Sequence, residues 1–174
     1  MHRIAVFAAE LFVATALLVS SPAEAEVRVR YAPALGLTDA GNNISPNLSF
    51  RGTLTELSQT FRSLGQLYLS AGERLDVTVL DINVAGIQPL GGGVIGGPRI
   101  VTSATPPRIK VAYALYRGGA PVAHGVDDIT DLNFLYTQNP KFSSGPLYYE
   151  RRILRDWFEE RFRYRHGLGR VAGQ

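Results

Sequence analysis

Cysteine is absent from this chain of 174 residues, and lysine occurs only twice. Without cysteine the chain has no disulfide bond, no thiolate ligand for a metal ion and no cysteine nucleophile. A bacterial lipid anchor is excluded as well, because a lipoprotein signal ends at a cysteine. The composition is otherwise globular, with 45% hydrophobic, 10% aromatic and 19% charged residues, which argues against a disordered or highly charged tail protein.

The N-terminus has the pattern of an export signal. Met1-His2-Arg3 supplies a positive charge, an apolar run follows that is most regular over Leu11–Val19, and Ala23 and Ala25 have the small side chains of a signal peptidase site. We therefore expect residues 1–25 to be a signal peptide, cleaved between Ala25 and Glu26, and the protein to be periplasmic or secreted. Beyond this signal no apolar run is long enough to span a membrane.

Positive charge in the expected mature chain lies mainly near its C-terminus. The mature chain has 17 basic and 13 acidic residues, and the segment Tyr148–Arg170 alone has seven arginines against four acids. Arginine suits carboxylates and phosphates as partners. Nucleic acid is not expected, because the net charge is modest and the protein is exported.

The hydrophobic pattern predicts the order β-α-β-(β)-β-β-α. Alternating apolar residues predict strands at Val27–Tyr31, Leu75–Val84, Ile109–Leu115 and Val122–Ile129, and a shorter β-like run at Arg99–Thr102. The phase of the second strand changes at Leu80-Asp81, which predicts either a bulge or a strand covered on both faces.

Apolar residues at spacings of three and four predict two helices. The first starts at Ser45-Pro46 or at the capping-box sequence Thr53-x-x-Glu56, and the second follows Ser144-Gly145-Pro146. We predict one α+β domain over residues 26–166, a two-layer sandwich with a mostly antiparallel sheet of four or five strands and both helices on one face. A frayed tail is expected at 167–174.

Four segments occur in a familiar order: LDINVAG at 80–86, PRI at 107–109, DLNFL at 131–135 and GPLYYERRILRDWF at 145–158. Over about Val27–Phe162 the chain resembles an uncharacterised family of exported proteobacterial proteins, known as a domain of unknown function. The resemblance implies an exported address and a fold, and it brings no activity, cofactor or catalytic residue. The chain departs from the family pattern in a glycine run between Ile87 and Arg99, and in Asn83, where the family has aspartate.

Two sequence motifs resemble ligand-binding sites, but each has a simpler structural explanation. The run Gly91–Gly96 matches G-x-G-x-x-G, but Gly97-Pro98 and β-branched residues follow it instead of the helix that would hold a phosphate. The cluster of His124, Asp127, Asp128 and Asp131 divides between the two faces of a strand, which favours a solvated strand end over a metal site. We therefore expect no metal and no cofactor.

A hydrolase triad is not expected, because the chain has no Gly-x-Ser-x-Gly sequence and only His124 and His166 remain after the signal. Paired-carboxylate chemistry stays open as an alternative, using Asp81 with Glu150 or Asp131.

Charged residues flank the apolar stripe of the last helix, on which Trp157 is expected to be buried. Glu150, Arg151 and Asp156 belong to this charged set, together with Arg152 and Arg155. The set is either an anion-binding face or a solvated face of i,i+4 ion pairs, and its mixed signs favour the second interpretation.

Asp81, Arg108 and Asp131 each lie at the edge of a predicted strand. We expect Arg108 to form a buried or half-buried pair with a carboxylate and so to fix the order of the strands. Asn133, in the same segment as Asp131, is a further structural or binding candidate.

These observations favour a non-catalytic domain that binds an envelope component or a protein partner, since two helices leave one face of the sheet uncovered. The alternative is a small carboxylate-dependent hydrolase acting on envelope glycans or peptides. A pocket with two acids of strongly shifted pKa would favour the hydrolase, and a flat apolar sheet face or groove would favour the binding domain.

Overall fold

The computed structural model describes residues 24–33, 50–87, 99–136 and 147–163. The elements are β1 (Glu26–Tyr31), α1 (Phe50–Tyr68), β2 (Glu73–Asn83), β3 (Arg108–Arg117), β4 (Ala120–Thr130) and α2 (Tyr148–Phe162). Several predicted features lie outside these residues: the signal peptide before Glu24, both Ser-Pro-containing helix starts, the glycine run, His166 and the tail.

The four strands form one sheet in the order β1-β2-β3-β4. β1 runs parallel to β2, its neighbour after α1, whereas β2, β3 and β4 are antiparallel. Gly118 and Gly119, both with positive φ, make the two-residue turn between β3 and β4. The predicted α+β sandwich with a mostly antiparallel sheet is confirmed. The run at Arg99–Thr102 is not a strand and contributes a single bridge, between Ile87 and Ile100.

β2 contains the predicted bulge. Its pairing with β3 shifts between Val79 and Asp81. Leu75, Val77 and Val79 are buried before this shift, and Ile82 is buried after it. The bulge therefore shifts the alternation of side chains by one residue, so that the apolar side chain of Ile82 again points into the core.

Both helices pack on the same face of the sheet. Phe61 of α1 and Phe158 of α2 are fully buried, and their ring centroids lie 6.2 Å apart. Trp157 meets Phe61 edge to face at 6.3 Å and Tyr113 of β3 at 5.6 Å. These aromatic contacts join the two helices to the sheet in one core. No helix among the described residues is long and apolar enough to cross a membrane.

The other face of the sheet, which we call the open face, has no helix over it in the described part of the chain. It carries the side chains that alternate with the core residues, including Arg28 and Arg30 of β1, Arg74, Asp76 and Thr78 of β2, Lys110, Ala112 and Ala114 of β3, and His124, Val126 and Asp128 of β4. An antiparallel sheet tolerates one solvated face when the other is well packed.

The capping-box start of the first helix is wrong. Thr53 lies inside α1 and is completely buried, and Glu56 pairs with Arg151 of α2. The sequence Thr-x-x-Glu matched a capping box by type, but tertiary packing uses both side chains elsewhere.

Gly65 allows α1 to lie close to β1. A Cβ atom at this buried helical position would overlap Cγ2 of Val27. Val27 is itself buried and β-branched, so its side chain has little freedom to move away.

We expect Gly65→Ala to destabilise the protein by about 1–3 kcal/mol through overpacking, although alanine favours a helix by ~1 kcal/mol over glycine. Urea unfolding measures the change. Ser63→Ala, at an exposed position of the same helix, serves as the control and is expected to change stability by less than about 0.5 kcal/mol. Equal stability of Gly65→Ala and wild type would contradict the tight contact.

Candidate functional site at the end of strand β2

The segments at 80–86, 107–109 and 131–135 meet at one end of the sheet. Because β2, β3 and β4 alternate in direction, the end of β2 lies beside the start of β3 and the end of β4. A cleft of about 320 Å³ opens there, and we call it the β2-end cleft. It is lined by Asn83, Gly86, Ile87, Ala104, Thr105, Pro106, Arg108, Thr130 and Leu132.

The fourth segment, in α2, reaches the same place through Glu150. This carboxylate is 2% exposed, and its Oε1 accepts the backbone N–H of Ala85 at 2.8 Å. Neither a solvated nor an anion-binding surface position is possible for Glu150. The helical spacing of Glu150, Ile153, Leu154 and Trp157 places it on the buried stripe, a signal that its charge obscured.

Arg99 binds the carbonyl groups of the same backbone segment. The guanidinium donates to the carbonyl oxygens of Val84 at 2.9 Å, Ala85 at 3.1 Å and Gly86. Together, Glu150 and Arg99 form what we call the Glu150–Arg99 clamp, which fixes the backbone at the base of the cleft. Charged partners make these hydrogen bonds stronger than neutral ones.

Gly86 is required by this local geometry. Its φ of +83° lies in the left-handed region, and a Cβ there would approach the carbonyl oxygen of Ile100 to 2.8 Å. The close approach matches the two hydrogen bonds between Ile87 and Ile100, at 2.8 and 3.0 Å. Glycine therefore lets the chain after β2 pair back on itself.

Arg108 forms the expected ion pair, but with Asp128. Its Nε donates to Oδ1 at 2.7 Å and its Nη2 to Oδ2, and the two side chains are 52% and 41% exposed. The predicted pair of Arg108 with a carboxylate is thus present, but it lies at the surface instead of being buried or half-buried, and its carboxylate is neither Asp81 nor Asp131. Arg108 and Asp128 belong to adjacent antiparallel strands and point to the same open face.

Asp81 and Asp131, which were grouped with Arg108 at the strand edges, each accept a hydrogen bond from a backbone N–H close by in the chain. Oδ1 of Asp81 accepts the N–H of Ile82 at 2.9 Å, and Oδ1 of Asp131 accepts the N–H of Asn133 at 2.8 Å. Asn133 is exposed and helps to form the turn that follows β4. The charge of Asp81 helps raise the pKa of the Arg108 guanidinium, after the larger effects of the hydrogen bond and charge of Asp128.

The hydrogen bond from Arg108 is the main cause of a lowered pKa for Asp128. The hydrogen bond from Arg28 likewise lowers the pKa of Glu26 on β1. Both carboxyl groups are therefore held ionised, whereas a general acid needs a raised pKa. They also lie on opposite edge strands, so they form no catalytic pair.

Asp127 and Asp128 point to opposite faces of β4, as the alternation predicts. Asp127 accepts the indole N–H of Trp157 and a guanidinium N–H of Arg161, both at 2.8 Å, on the side of α2. Trp157 is buried, as expected. Across the four described ranges, no three His, Asp or Glu side chains are grouped as ligands for one metal ion.

Other charged residues of α2 form ion pairs. Arg151 pairs with Glu56 of α1, and Arg152 pairs with Asp156 at 2.6 Å within α2. Of these two pairs, the one between Arg152 and Asp156 is of the expected i,i+4 type. Arg151 therefore joins the two helices, Asp156 is paired within α2, and neither residue lines the β2-end cleft.

Sequence reasoning missed one further buried acid. Glu73, 3% exposed, accepts the N–H of Ser70 at 2.9 Å and two N–H groups of Arg117, at 3.0 and 2.7 Å. It ties the turn after α1 to the end of β3. The sequence did contain a signal for this role, because Glu73 comes directly after Gly72, where the apolar pattern of the helix stops.

Removal of the Glu150 carboxylate tests the clamp. We expect Glu150→Ala to lower the free energy of unfolding by about 1–3 kcal/mol or more, because the N–H of buried Ala85 loses its acceptor. Glu150→Gln keeps an oxygen at the same distance along the side chain and is expected to retain part of this stability. Chemical unfolding of both variants measures the difference, and equal losses would contradict the role of the Ala85 hydrogen bond.

The Arg108–Asp128 pair has an expected pH dependence. Because the folded-state pKa of Asp128 is lowered, the pair stabilises the protein above the unfolded pKa of about 4 and stops doing so as pH falls through the folded value. Exposure keeps the effect small, so we expect Arg108→Ala to lower Tm by less than about 3 °C at pH 7. A double-mutant cycle with Asp128→Ala should show coupling at pH 7 that decreases as pH falls below about 4. Coupling that does not decrease there would contradict the assignment.

Comparison with known proteins gives one match. A family model described as a protein of unknown function (DUF3016) matches residues 25–160, from just before β1 into the last turn of α2. No curated protein and no solved structure matches the chain. Because the match covers well over half of the chain, it confirms the resemblance to a domain-of-unknown-function family. The chain belongs to the DUF3016 family of proteins of unknown function.

Proposed function

We propose that this protein is an exported, non-catalytic binding module of the cell envelope, which holds a protein partner or envelope component against its open face and β2-end cleft. The observation that carries the proposal is the arrangement of the two layers. Both helices pack on one face of the sheet, and the open face continues at its end into a cleft with exposed apolar side chains.

The open face has a shallow apolar centre. Thr78, Ala112 and Val126 lie side by side on β2, β3 and β4, and Val126 is 59% exposed. The small side chains leave this part of the sheet flat. Flat apolar surface bordered by charges is typical of protein–protein contact sites.

The β2-end cleft adds anchoring groups to this surface. Leu132 is 72% exposed and Ile87 57% exposed, while Asn83 and Arg108 contribute polar groups to the same lining. An apolar wall with a few polar groups favours a ligand that has both kinds of surface, such as a polypeptide.

Export is supported by the N-terminal pattern and by where the domain begins. The family match starts at residue 25 and β1 starts at Glu26, so cleavage between Ala25 and Glu26 would leave every described strand intact. The basic start, apolar run and Ala-x-Ala site provide the signal.

The geometry does not favour the carboxylate-dependent hydrolase. Glu150, one of its proposed acids, is buried against Ala85, and an oxygen of Asp131 is used in a turn. A substrate could not reach Glu150 without displacing the clamp. Binding is the function that these residues support better.

Site-specific crosslinking in cells tests the proposal. A photoreactive amino acid at Val126 or Leu132, in the protein expressed from its full chain, is expected to give an adduct with the same envelope component from both positions. Leu67, 71% exposed on α1 on the opposite side of the sheet, is the matched control and is expected to give none. Mass spectrometry of the same protein should show a chain that starts at Glu26.

Three results would contradict the proposal. They are an intact N-terminus on the cell-purified protein, identical adducts from all three positions, and turnover of an envelope glycan or peptide that depends on Asp81 or Asp131.

A further inference from the structure

The outer edge of β1 presents backbone groups that pair with no described residue. β1 is the first strand of the sheet and, within the described residues, pairs only with β2. The N–H of Ala32 donates to the carbonyl oxygen of Val79 at 2.8 Å, so residues in the same phase as Ala32 direct their backbone groups toward β2. The N–H and C=O groups of Val27, Val29 and Tyr31 therefore point away from the sheet.

A groove of about 520 Å³ runs along this edge between β1 and α1. Residues 25–30 form one side of it, and Arg62 and Gln66 of α1 form the other. Tyr31 fixes the spacing of the two elements, since its hydroxyl donates to the carbonyl oxygen of Leu54 at 2.7 Å and lies 2.8 Å from Oγ of Ser58. The groove thus lies beside a fixed strand whose outward backbone groups have no hydrogen-bond partner among the described residues.

The charge of the groove is positive on both sides. Its charged residues are three arginines and one glutamate, and Arg28 already pairs with Glu26 at 2.7 Å. Arg30 on the open-face side and Arg62 on the α1 side make no hydrogen bond or ion pair with any other described side chain, and both are exposed. A strand added at this edge would place its two faces beside these two arginines.

We propose that the edge of β1 binds an acidic polypeptide segment in extended conformation, as an added strand. The outward backbone groups of Val27, Val29 and Tyr31 supply the strand hydrogen bonds, and Arg30 and Arg62 select acidic side chains on either face. This surface is separate from the open-face centre and the β2-end cleft, so the inference does not rest on the proposed function.

A second copy of the same chain fits this edge less well. Each groove has a net charge of +2, so pairing β1 with its own copy brings like charges together along the added strand. An acidic segment instead neutralises both free arginines.

Peptide titration tests the proposal on the protein expressed from its full chain. The probes are fluorescently labelled eight-residue peptides with the repeat Val-Val-Glu-Glu, or Val-Val-Lys-Lys, which place charged side chains on both faces of an added strand. Their binding is measured by fluorescence anisotropy at low salt. We expect saturable binding of the Glu peptide, no binding of the Lys peptide, and weakening with added salt. An Arg30→Glu, Arg62→Glu double variant should weaken binding about tenfold or more. Arg51→Glu, at an exposed position of α1 outside the groove, is the control and should bind as wild type.

The backbone role is tested separately by Val29→Pro. Proline removes an N–H that points away from the sheet, which an edge strand tolerates, and Tm confirms that the fold is kept. We expect this variant to lose Glu-peptide binding while Arg30 and Arg62 remain. If Val29→Pro folds and binds as wild type, the contact is electrostatic only and the proposal is wrong. A wild-type dimer that Val29→Pro dissolves would assign the edge to a second copy and would also overturn it.

Discussion

The hydrogen bond that the backbone N–H of Ala85 donates to buried Glu150 is the contact on which the arrangement of the domain depends. A carboxylate without water must be surrounded by donors, so α2 is held at the rotation and height that bring Glu150 to the end of β2. That rotation also directs Trp157 and Phe158, two turns further along, into the core. Arg99 completes the constraint from the carbonyl side, and the β2-end cleft takes its shape from the same backbone segment.

Packing on one side of the sheet leaves the other side without a covering helix in the described part of the chain. The aromatic contacts of Phe61, Trp157 and Phe158 concentrate the apolar burial between the helices and the sheet. Charged and small side chains then occupy the open face, which an antiparallel sheet accepts without loss of its backbone hydrogen bonds. Ion pairs such as Arg108–Asp128 keep this face soluble while its centre stays flat. The stability of the domain and its proposed binding surface therefore use different residues.

The sequence could predict the features that depend on local periodicity, and these are the layer order, the strands, the bulge near Leu80 and the apolar helix stripes. It could not predict features set by register. Arg108 meets Asp128 because the turn at Gly118-Gly119 fixes how β3 and β4 align, and no single segment contains that information. Glu150 was predicted to lie at the surface because its charge was given more weight than its position on the buried stripe of the helix. Thr53 was misassigned because a local capping pattern does not show whether the position is buried inside a helix.

The arginines beside β1 can both protect the strand edge from unwanted pairing and select the kind of segment that binds there. An exposed strand edge invites pairing with any extended chain, and proteins commonly oppose this with charged side chains. Arginines on both sides of the groove oppose pairing with another basic edge, including that of an identical copy. The same charges cannot oppose an acidic strand, because opposite charges attract and the outward backbone groups of β1 pair with no described residue. Protection by charge of one sign is therefore selective, and the sign itself defines the class of partner that the edge accepts.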